Sequence, residues 1–249
     1  MEATQRAGGS PEPSRHADGP VQIVFDPTRL RQADASLFDP LRYGERAQAV
    51  RGRGGRGAAW FVQGPFGDAV LRHYQRGGWM ASVSRAAYLW QGERHVRSLR
   101  EFAMLRLMAQ RSLPVPAPIA ACYRRQAWYY QAAILVQRVH QAESFAMRAA
   151  SQGLHAPWAA VGAAIGRCHR EGAHHADMNA NNVLIDVADA VCLIDWDKGV
   201  IENAPGAWCS RVLARLQRSL RKECPRLPAS EVAAGMQLLR TAHDQACRA

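Results

Sequence analysis

Acidic and amide side chains cluster in two neighbouring segments, HHADMNANNVLID at residues 174–186 and VCLIDWDKG at residues 191–199. Within them, side-chain oxygen atoms that could bind a metal ion or accept a proton belong to Asp177, Asn182 and Asp195. A carboxylate with an amide oxygen suits Mg²⁺, which keeps several waters and binds through substrate phosphates. A second, separate carboxylate can accept a proton from an attacking hydroxyl. Phosphoryl transfer from ATP requires this set of groups, together with basic side chains on the phosphates.

Two short apolar runs would bring these side chains together. Residues 183–185 and 191–194 are predicted to be strands joined by a turn at 186–190. Asn182 comes directly before the first strand, and Asp195 comes directly after the second. If the strands pair as a hairpin, the loop and both strand ends meet at one edge, and their oxygen-bearing side chains converge there.

The spacing H-x-D-x-x-x-x-N, met by His175, Asp177 and Asn182, is that of the catalytic loop in protein-kinase-like enzymes. Asp195 stands where those enzymes have a metal-binding Asp. In this interpretation Asp177 is the catalytic base, and Asn182 and Asp195 hold Mg²⁺. A lone Asp in such a segment is usually a turn residue, but here the spacing and the strand context agree. His175 is predicted to orient the loop, because no Cys or His partner lies at metal-ligand spacing.

The first half of the chain offers candidate groups for the phosphates of ATP. In the run AVLR, Arg72 stands where protein kinases have a Lys, and a guanidinium can also fork around phosphate. The alternative is an ordinary strand Arg that faces solvent. Glu101, in a predicted helix over 92–111, is a candidate partner that would hold Arg72 toward the phosphates. The alternative for Glu101 is a surface pair with an Arg of the same helix.

A glycine-rich basic run, RGRGGRG at residues 51–57, lies between predicted strands and ahead of Arg72. Its glycines Gly52, Gly54 and Gly55 would allow the backbone to approach phosphate closely and present N–H groups to it. The run is not a G-x-G-x-x-G motif, and a flexible basic loop has the same composition. It is therefore a candidate phosphate-covering loop on its place in the chain alone.

The composition predicts a globular protein with a basic surface. The chain has 249 residues, 48% of them hydrophobic, and no apolar stretch long enough to cross a bilayer. The first twenty residues lack the apolar core of a signal peptide and are predicted to be a disordered tail. Six scattered cysteines without a C-x-x-C pair favour reduced thiols in the cytoplasm. The net charge of +11 favours polyanionic partners such as nucleic acid, anionic lipid or a phosphorylated substrate, and the alternative is that it serves only solubility.

Element patterns predict an α+β fold with two lobes, and the H-x-D motif described above makes the expected fold the bilobal protein-kinase-like one. The predicted N-lobe, residues 21–137, is rich in strands, and the predicted C-lobe, residues 138–249, is mostly helical. The elements that define the two lobes are strands at 21–25, 67–74 and 128–139, a Gly/Arg run over 50–62 that leads into an apolar strand, helices at 92–111 and 157–172, and a basic helical region from about 207.

Three further motifs occur together: LRHYQRGG at 71–78, SLREFAMLRLMAQRSLPVPAPIAA at 98–121, and HADMNANNVLID with LIDWDKG. With them the chain, from about residue 50 to 222, resembles the 3-deoxy-D-manno-octulosonic acid (Kdo) kinase family, lipopolysaccharide-core kinases of Gram-negative bacteria. Arg72 in place of Lys fits the LRHY pattern of this family. The resemblance gives the chain a substrate class that the phosphoryl-transfer motifs alone leave open.

The resemblance implies ATP- and Mg²⁺-dependent phosphorylation of a Kdo hydroxyl, at the 4-position, on a lipid A precursor such as Kdo–lipid IVA. It also implies a peripheral protein on the cytoplasmic side of the inner membrane. Carried over by motif, Asp177 is the base, and Asn182 and Asp195 hold Mg²⁺. Asp197 matches the D-x-D of the family, and Asn179 stands where protein kinases have Lys.

A basic stripe, formed by Arg211, Arg215, Arg218 and Lys222, is predicted on a helix over 208–226, beside a row of apolar residues. Such a helix could lie on anionic lipid or hold the phosphates of lipid A. An equally simple interpretation is a surface helix packed by its Leu face, with a solvated Arg face.

Rival functions remain open at the level of sequence. An aminoglycoside- or choline-type phosphotransferase carries the same H-x-D, Asn and Asp set, but the basic balance argues against a cationic substrate. A basic membrane-docking module with a dead kinase fold is disfavoured by the intact site. No segment of the A-P-E type follows Asp195, which argues against a protein kinase. No nucleic acid is expected, because no aromatic and basic reader motif accompanies the charge.

Overall fold

The computed structural model describes residues 11–50, 59–74 and 88–249. The chain divides into two compact units, Met1–Leu99 with Pro118–Gln137, and Arg100–Ala117 with Arg138–Ala249. The first contains the large sheet, and the second contains most of the helices. The predicted α+β class, strand-rich at first and then mostly helical, is therefore confirmed. The predicted lobe bounds at 21–137 and 138–249 stay a prediction.

Within the described residues of the first unit, the strands form an eight-stranded antiparallel sheet. Seven strands follow the order β1-β2-β7-β8-β5-β4-β3, and β6 pairs with β8. The strands are β1 (Ser14–Asp18), β2 (Val21–Phe25), β3 (Ala47–Ala49), β4 (Ala59–Gly64), β5 (Gly67–His73), β6 (Tyr88–Leu89), β7 (Pro118–Gln126) and β8 (Tyr129–Gln137).

The first strand corrects the prediction of a disordered tail over residues 1–20, which is wrong for Ser14–Asp18. This segment pairs with β2 in a regular antiparallel register, from Ser14 opposite Phe25 to Asp18 opposite Val21. Its side chains are mostly exposed, so the strand is stabilised mainly through backbone hydrogen bonds. A polar sequence without an apolar face gave no signal for it.

One face of the sheet carries the core of the first unit. Ala69 and Leu71 of β5 are fully buried in a cluster with Ile23, Ile119 and Leu135. Short 3-10 segments at Ala35–Phe38 and Pro40–Arg46 contribute apolar side chains to the same cluster. Because side chains alternate across a strand, Arg72 projects from the opposite face of β5.

The helix predicted over 92–111 is shorter at its start. Helix α1 covers Arg97–Gln110, and a single 3-10 turn at Glu93–His95 precedes it. Val96 separates the two with an extended backbone, φ −67° and ψ 120°, while its side chain is completely buried. The apolar period of the sequence thus began one residue before the helical backbone.

The second unit contains α2 (Phe145–Gln152), α3 (Trp158–Arg170), α4 (Ala207–Glu223), α5 (Ala229–Arg248) and five short strands. These strands are β9 (Glu143–Ser144), β10 (Ala173–His174), β11 (Val183–Ile185), β12 (Val191–Leu193) and β13 (Val200–Ile201). Strand β11 lies between β12 and β9, and β10 pairs with β13.

Helices α3 and α5 pack in close backbone contact. A Cβ added at Gly162 would lie 2.0 Å from the Leu239 carbonyl oxygen, and one at Gly166 would lie 2.4 Å from that of His243. Only glycine permits this approach, so these two residues determine the separation of the helices. Among the helices in the described ranges, none is long and apolar enough to cross a membrane.

Candidate active site

A β-hairpin brings the ends of two segments together, as the sequence predicts. Strands β11 and β12 pair antiparallel with Val183 opposite Leu193, and the Ile194 N–H extends the pairing by donating to the Asn182 carbonyl at 2.9 Å. Asn182 and Asp195 therefore lie at the same end of the hairpin.

The other end of the hairpin closes through Asp186. Its carboxylate oxygen Oδ1 accepts the N–H groups of Ala188 and Ala190 at 2.8 and 2.9 Å. Asp189 takes a positive φ of 59°, which Asp tolerates better than most residues. Asp186 is thus a turn residue, unlike Asp195 at the opposite end of the hairpin.

The loop between Asp177 and Asn182 is built by side-chain amides. Asn179 accepts the N–H groups of Asn181 and Asn182 at its Oδ1, at 2.9 and 3.2 Å, and donates its Nδ2 to the Asp177 carbonyl at 3.1 Å. Asn182 donates its own Nδ2 to the same carbonyl at 3.2 Å. The Asp177 carbonyl can only accept, so Asn182 must direct its Nδ2 toward it. The Oδ1 of Asn182 then remains as the acceptor that this side chain offers to a ligand.

His175 ties this loop to the hairpin, in the orienting role that the sequence predicts. Its Nε2 donates to the Ile194 carbonyl at 2.9 Å, and its Nδ1 accepts the Asp177 N–H at 3.3 Å. These two bonds require a neutral ring with the proton on Nε2. Burial lowers the pKa of His175 below its usual range, which keeps the ring in that form.

The carboxylate of Asp177 lies between two cations. Lys198 Nζ is 3.3 Å from its Oδ2, and Arg215 donates to its Oδ1. Partial burial pushes the pKa of Asp177 up, but hydrogen bonds and charge from Lys198 and then Arg215 outweigh it and lower the pKa. The predicted base is thus ionised and already hydrogen-bonded on both oxygens.

Helix α4 contacts the loop through two side chains one turn apart. Arg215 reaches Asp177, and the Ser219 hydroxyl accepts the Ala180 N–H at 3.0 Å. The apolar face of the helix is buried, which agrees with the alternative of a surface helix packed by its Leu face; the buried residues include Val212, Leu213, Leu216 and Leu220. Arg215 belongs to the predicted basic stripe, and its contact with the loop has no signal in the sequence, because the fold alone brings the two segments together.

Asp195 is held in an unusual backbone conformation beside a buried anchor. Its φ is +66°, which a non-glycine residue adopts at a cost of about 1 kcal/mol or more. The next residue, Trp196, is buried, and its N–H donates to the buried carboxylate of Glu101 at 3.2 Å. Glu101 therefore supports the Asp195 segment, through a contact that the sequence does not predict.

The donor set fits the predicted Mg²⁺. Asn182 offers an amide oxygen and Asp195 a carboxylate at the same end of the hairpin, and both are hard oxygen ligands. Within residues 11–50, 59–74 and 88–249, no group of three or more His, Cys, Asp or Glu side chains could hold a metal ion. Mg²⁺ held by these two residues would take its other ligands from waters and substrate phosphates, as Mg²⁺ sites on nucleotides usually do.

The predicted phosphate-binding groups of the first half are only partly described. Arg72 lies on β5, where its guanidinium stacks 5.0 Å from the Tyr74 ring centre and its NH2 lies 3.4 Å from the Tyr74 hydroxyl. Gly52, Gly54 and Gly55 lie outside the described residues. The pairing of Arg72 with Glu101 and the phosphate role of these residues stay predictions.

Comparison with known proteins gives a consistent family. The family model described as lipopolysaccharide kinase (Kdo/WaaP) matches residues 42–236. A 3-deoxy-D-manno-octulosonic acid kinase of Xanthomonas campestris pv. campestris (strain B100) is 50% identical over 210 residues, which are 84% of each chain. One of Stenotrophomonas maltophilia (strain K279a) is 46% identical over 234 residues, 94% of each chain.

Among solved structures, WaaP in complex with acyl carrier protein covers 84% of this chain and 92% of that chain, with a TM-score of 0.45 and 16% identity. The family assignment rests on the sequence matches, which extend over most of the chain at close to half identity. The chain belongs to the lipopolysaccharide kinase (Kdo/WaaP) family.

Proposed function

We propose that this protein phosphorylates a Kdo hydroxyl, at the 4-position, on a Kdo–lipid A precursor in lipopolysaccharide core biosynthesis. A kinase of this family uses ATP and transfers phosphate to a sugar hydroxyl. The observation that carries the proposal is the joined arrangement of the Asp177 loop and the hairpin end with Asn182 and Asp195.

Asp177 acts as the base in the proposed reaction. The acceptor hydroxyl oxygen attacks the γ-phosphorus of ATP, the bond from that phosphorus to the bridging oxygen of ADP breaks, and the hydroxyl proton passes to the Asp177 carboxylate. With both of its oxygens hydrogen-bonded, each still has a lone pair that can receive the acceptor hydroxyl. His175 and the two amides fix the backbone from which this carboxylate projects.

Asn182 and Asp195 are the proposed Mg²⁺ ligands, and the ion would neutralise charge that develops on the transferred phosphate. Arg72 is proposed to bind ATP phosphate, with Glu101 positioning it and the run with Gly52, Gly54 and Gly55 covering the phosphates. Glu101 also has a role that needs no nucleotide, because it accepts the N–H of the residue after Asp195.

A peripheral location on the cytoplasmic side of the inner membrane follows from the proposed acceptor. Arg211 and Arg218 of α4 are exposed, while the opposite face of that helix is buried. An Arg211→Gln and Arg218→Gln double variant should sediment less with phosphatidylglycerol vesicles than the wild type. Unchanged sedimentation would assign these residues to solvated surface.

The test of the proposed activity is turnover with ATP and Mg²⁺ on purified Kdo–lipid IVA, on an aminoglycoside and on a generic peptide. Wild type should phosphorylate the glycolipid alone. Asp177→Asn should lower kcat by about 10²- to 10⁴-fold, the usual contribution of a general base. The matched control is Asp189→Asn at the far turn, which should keep full activity. Transfer to another acceptor only, or undiminished turnover by Asp177→Asn, would refute the proposal.

A further inference from the structure

Two cations share one carboxylate at the predicted base. Lys198 contacts Oδ2 of Asp177 and Arg215 contacts Oδ1, so this cluster carries one positive charge more than negative charge. The base needs neither cation to receive a proton. Two cations on one carboxylate leave a positive charge beside the base, and an anionic acceptor would offset it.

Arg215 is placed to bind such an acceptor by the helix that bears it. Leu216 and Leu220 of α4 are completely buried, and Ser219 is hydrogen-bonded to the Asp177 loop, so the backbone at Arg215 is fixed beside the base. The Arg215 side chain is half exposed, at 49%, and uses one of its two terminal nitrogens on Asp177. A guanidinium has five N–H donors, so the others can bind a second anion without releasing Asp177.

The anion must belong to a molecule that approaches Asp177. The acceptor hydroxyl has to come within hydrogen-bond distance of this carboxylate, which places the remainder of the sugar next to Arg215. Kdo is an acid, with a carboxylate on the same sugar ring as the hydroxyl. Guanidinium and carboxylate match in shape and can form two parallel hydrogen bonds, which a lysine ammonium cannot do.

We propose that Arg215 binds the carboxylate of the Kdo acceptor while it also contacts Asp177, and so selects an acidic sugar and orients its hydroxyl toward the base. This inference rests on the function proposed above and adds a specificity-determining residue to it. Lys198 keeps its contact with the other oxygen of Asp177.

The experiment varies the acceptor and the residue together. Kinetics are measured at saturating ATP with Kdo–lipid IVA and with its Kdo methyl ester, which lacks the negative charge, for wild type and for Arg215→Gln. Wild type should prefer the free acid by roughly 10- to 100-fold in kcat/KM, as expected for a charge-assisted pair of hydrogen bonds. In Arg215→Gln the preference should fall to about threefold or less, mainly through a higher KM for the free acid.

A structural role alone would lower turnover of both acceptors equally and would leave the preference for the acid unchanged, which would overturn the inference. A higher KM for ATP with an unchanged preference would assign Arg215 to a nucleotide phosphate and overturn it as well. Arg221→Gln, an exposed Arg of the same helix, is the matched control and should keep the wild-type preference. Failure of wild type on both acceptors would instead count against the proposed function.

Discussion

Replacement of His175 by Phe tests the link between the catalytic loop and the hairpin. Phe keeps a ring of similar shape against Trp196, whose ring centre lies 4.6 Å from that of His175, but it removes both hydrogen bonds. The Ile194 carbonyl and the Asp177 N–H lose their partner. At about 0.5–1.5 kcal/mol for each bond, the unfolding free energy should fall by about 1–3 kcal/mol at pH 7.5. The melting temperature should then fall by about 2–12 °C.

The same variant should lose less stability at pH 5.5. In the folded protein, burial lowers the pKa of His175 below its ordinary value of 6.5. In the unfolded chain the ring keeps that ordinary value and takes up a proton as the pH falls below 6.5. The unfolded state thus binds more protons, so wild-type stability is present above pH 6.5 and declines as the pH falls below it. At pH 5.5 this loss is up to about 1.4 kcal/mol for one histidine. Phe does not titrate, so the gap between variant and wild type should narrow by up to that amount.

Chemical unfolding at pH 7.5 and 5.5, together with kcat for ATP-dependent transfer, measures both effects. Since the Asp177 backbone is released, kcat should fall by about 10- to 100-fold. His169 is also buried, and burial lowers its pKa to about 3, but it is present in both proteins and cancels in the comparison. His155→Phe, at an exposed site, is the control and should change little at either pH. An equal gap at the two pH values, or an unchanged kcat, would refute the reasoning.

Three other changes test separate contacts. Arg215→Gln removes a charge that lowers the pKa of Asp177, so the acidic limb of the kcat/KM profile against pH should move to higher pH; a limb that stays in place would contradict this contact. Glu101→Leu leaves the buried backbone N–H of Trp196 without its acceptor. It should lower the free energy of unfolding by about 1–3 kcal/mol in an unfolding titration, more than Glu101→Gln does. Gly162→Ala should lower the free energy of unfolding by about 1–3 kcal/mol, and with it the melting temperature, because the added Cβ would meet the Leu239 carbonyl. A higher melting temperature, from the better helix propensity of Ala, would show that α3 and α5 can separate.

The hairpin end of the site could be predicted because its signals are local. The runs at 183–185 and 191–194 are short, apolar and separated by a turn sequence, and antiparallel pairing then fixes Asn182 and Asp195 at one end. The orienting role of His175 followed from the same spacing. Each of these inferences needed only residues close in the chain.

The cations around Asp177 could not be predicted in the same way. Arg215 follows Asp177 by 38 residues, and a periodic pattern shows that α4 has an apolar face but not which loop its polar face contacts. Lys198 was visible in the DWDKG segment, yet a lysine after a turn has many uses. Glu101 is similar, because its contact with the Trp196 N–H joins residues 95 apart.

The N-terminal strand marks another limit. Ser14–Asp18 is polar, mostly exposed and close to the chain terminus, which together favour an unstructured tail in any reading from composition. Pairing with β2 depends on backbone groups that every sequence has, so the side chains carry little record of it.

Helix α4 makes three kinds of contact that all depend on its rotation about its own axis. Its leucines are buried in the interior, Ser219 is hydrogen-bonded to the loop, and Arg215 contacts the base. One inserted or deleted residue between Cys209 and Arg215 would rotate the part of the helix before it by about 100° relative to the part after it. The buried leucines, Ser219 and Arg215 could then no longer all keep their contacts. Length variation among relatives is therefore expected in the connections on either side of this helix, while its span from Cys209 to Ser219 keeps a constant number of residues.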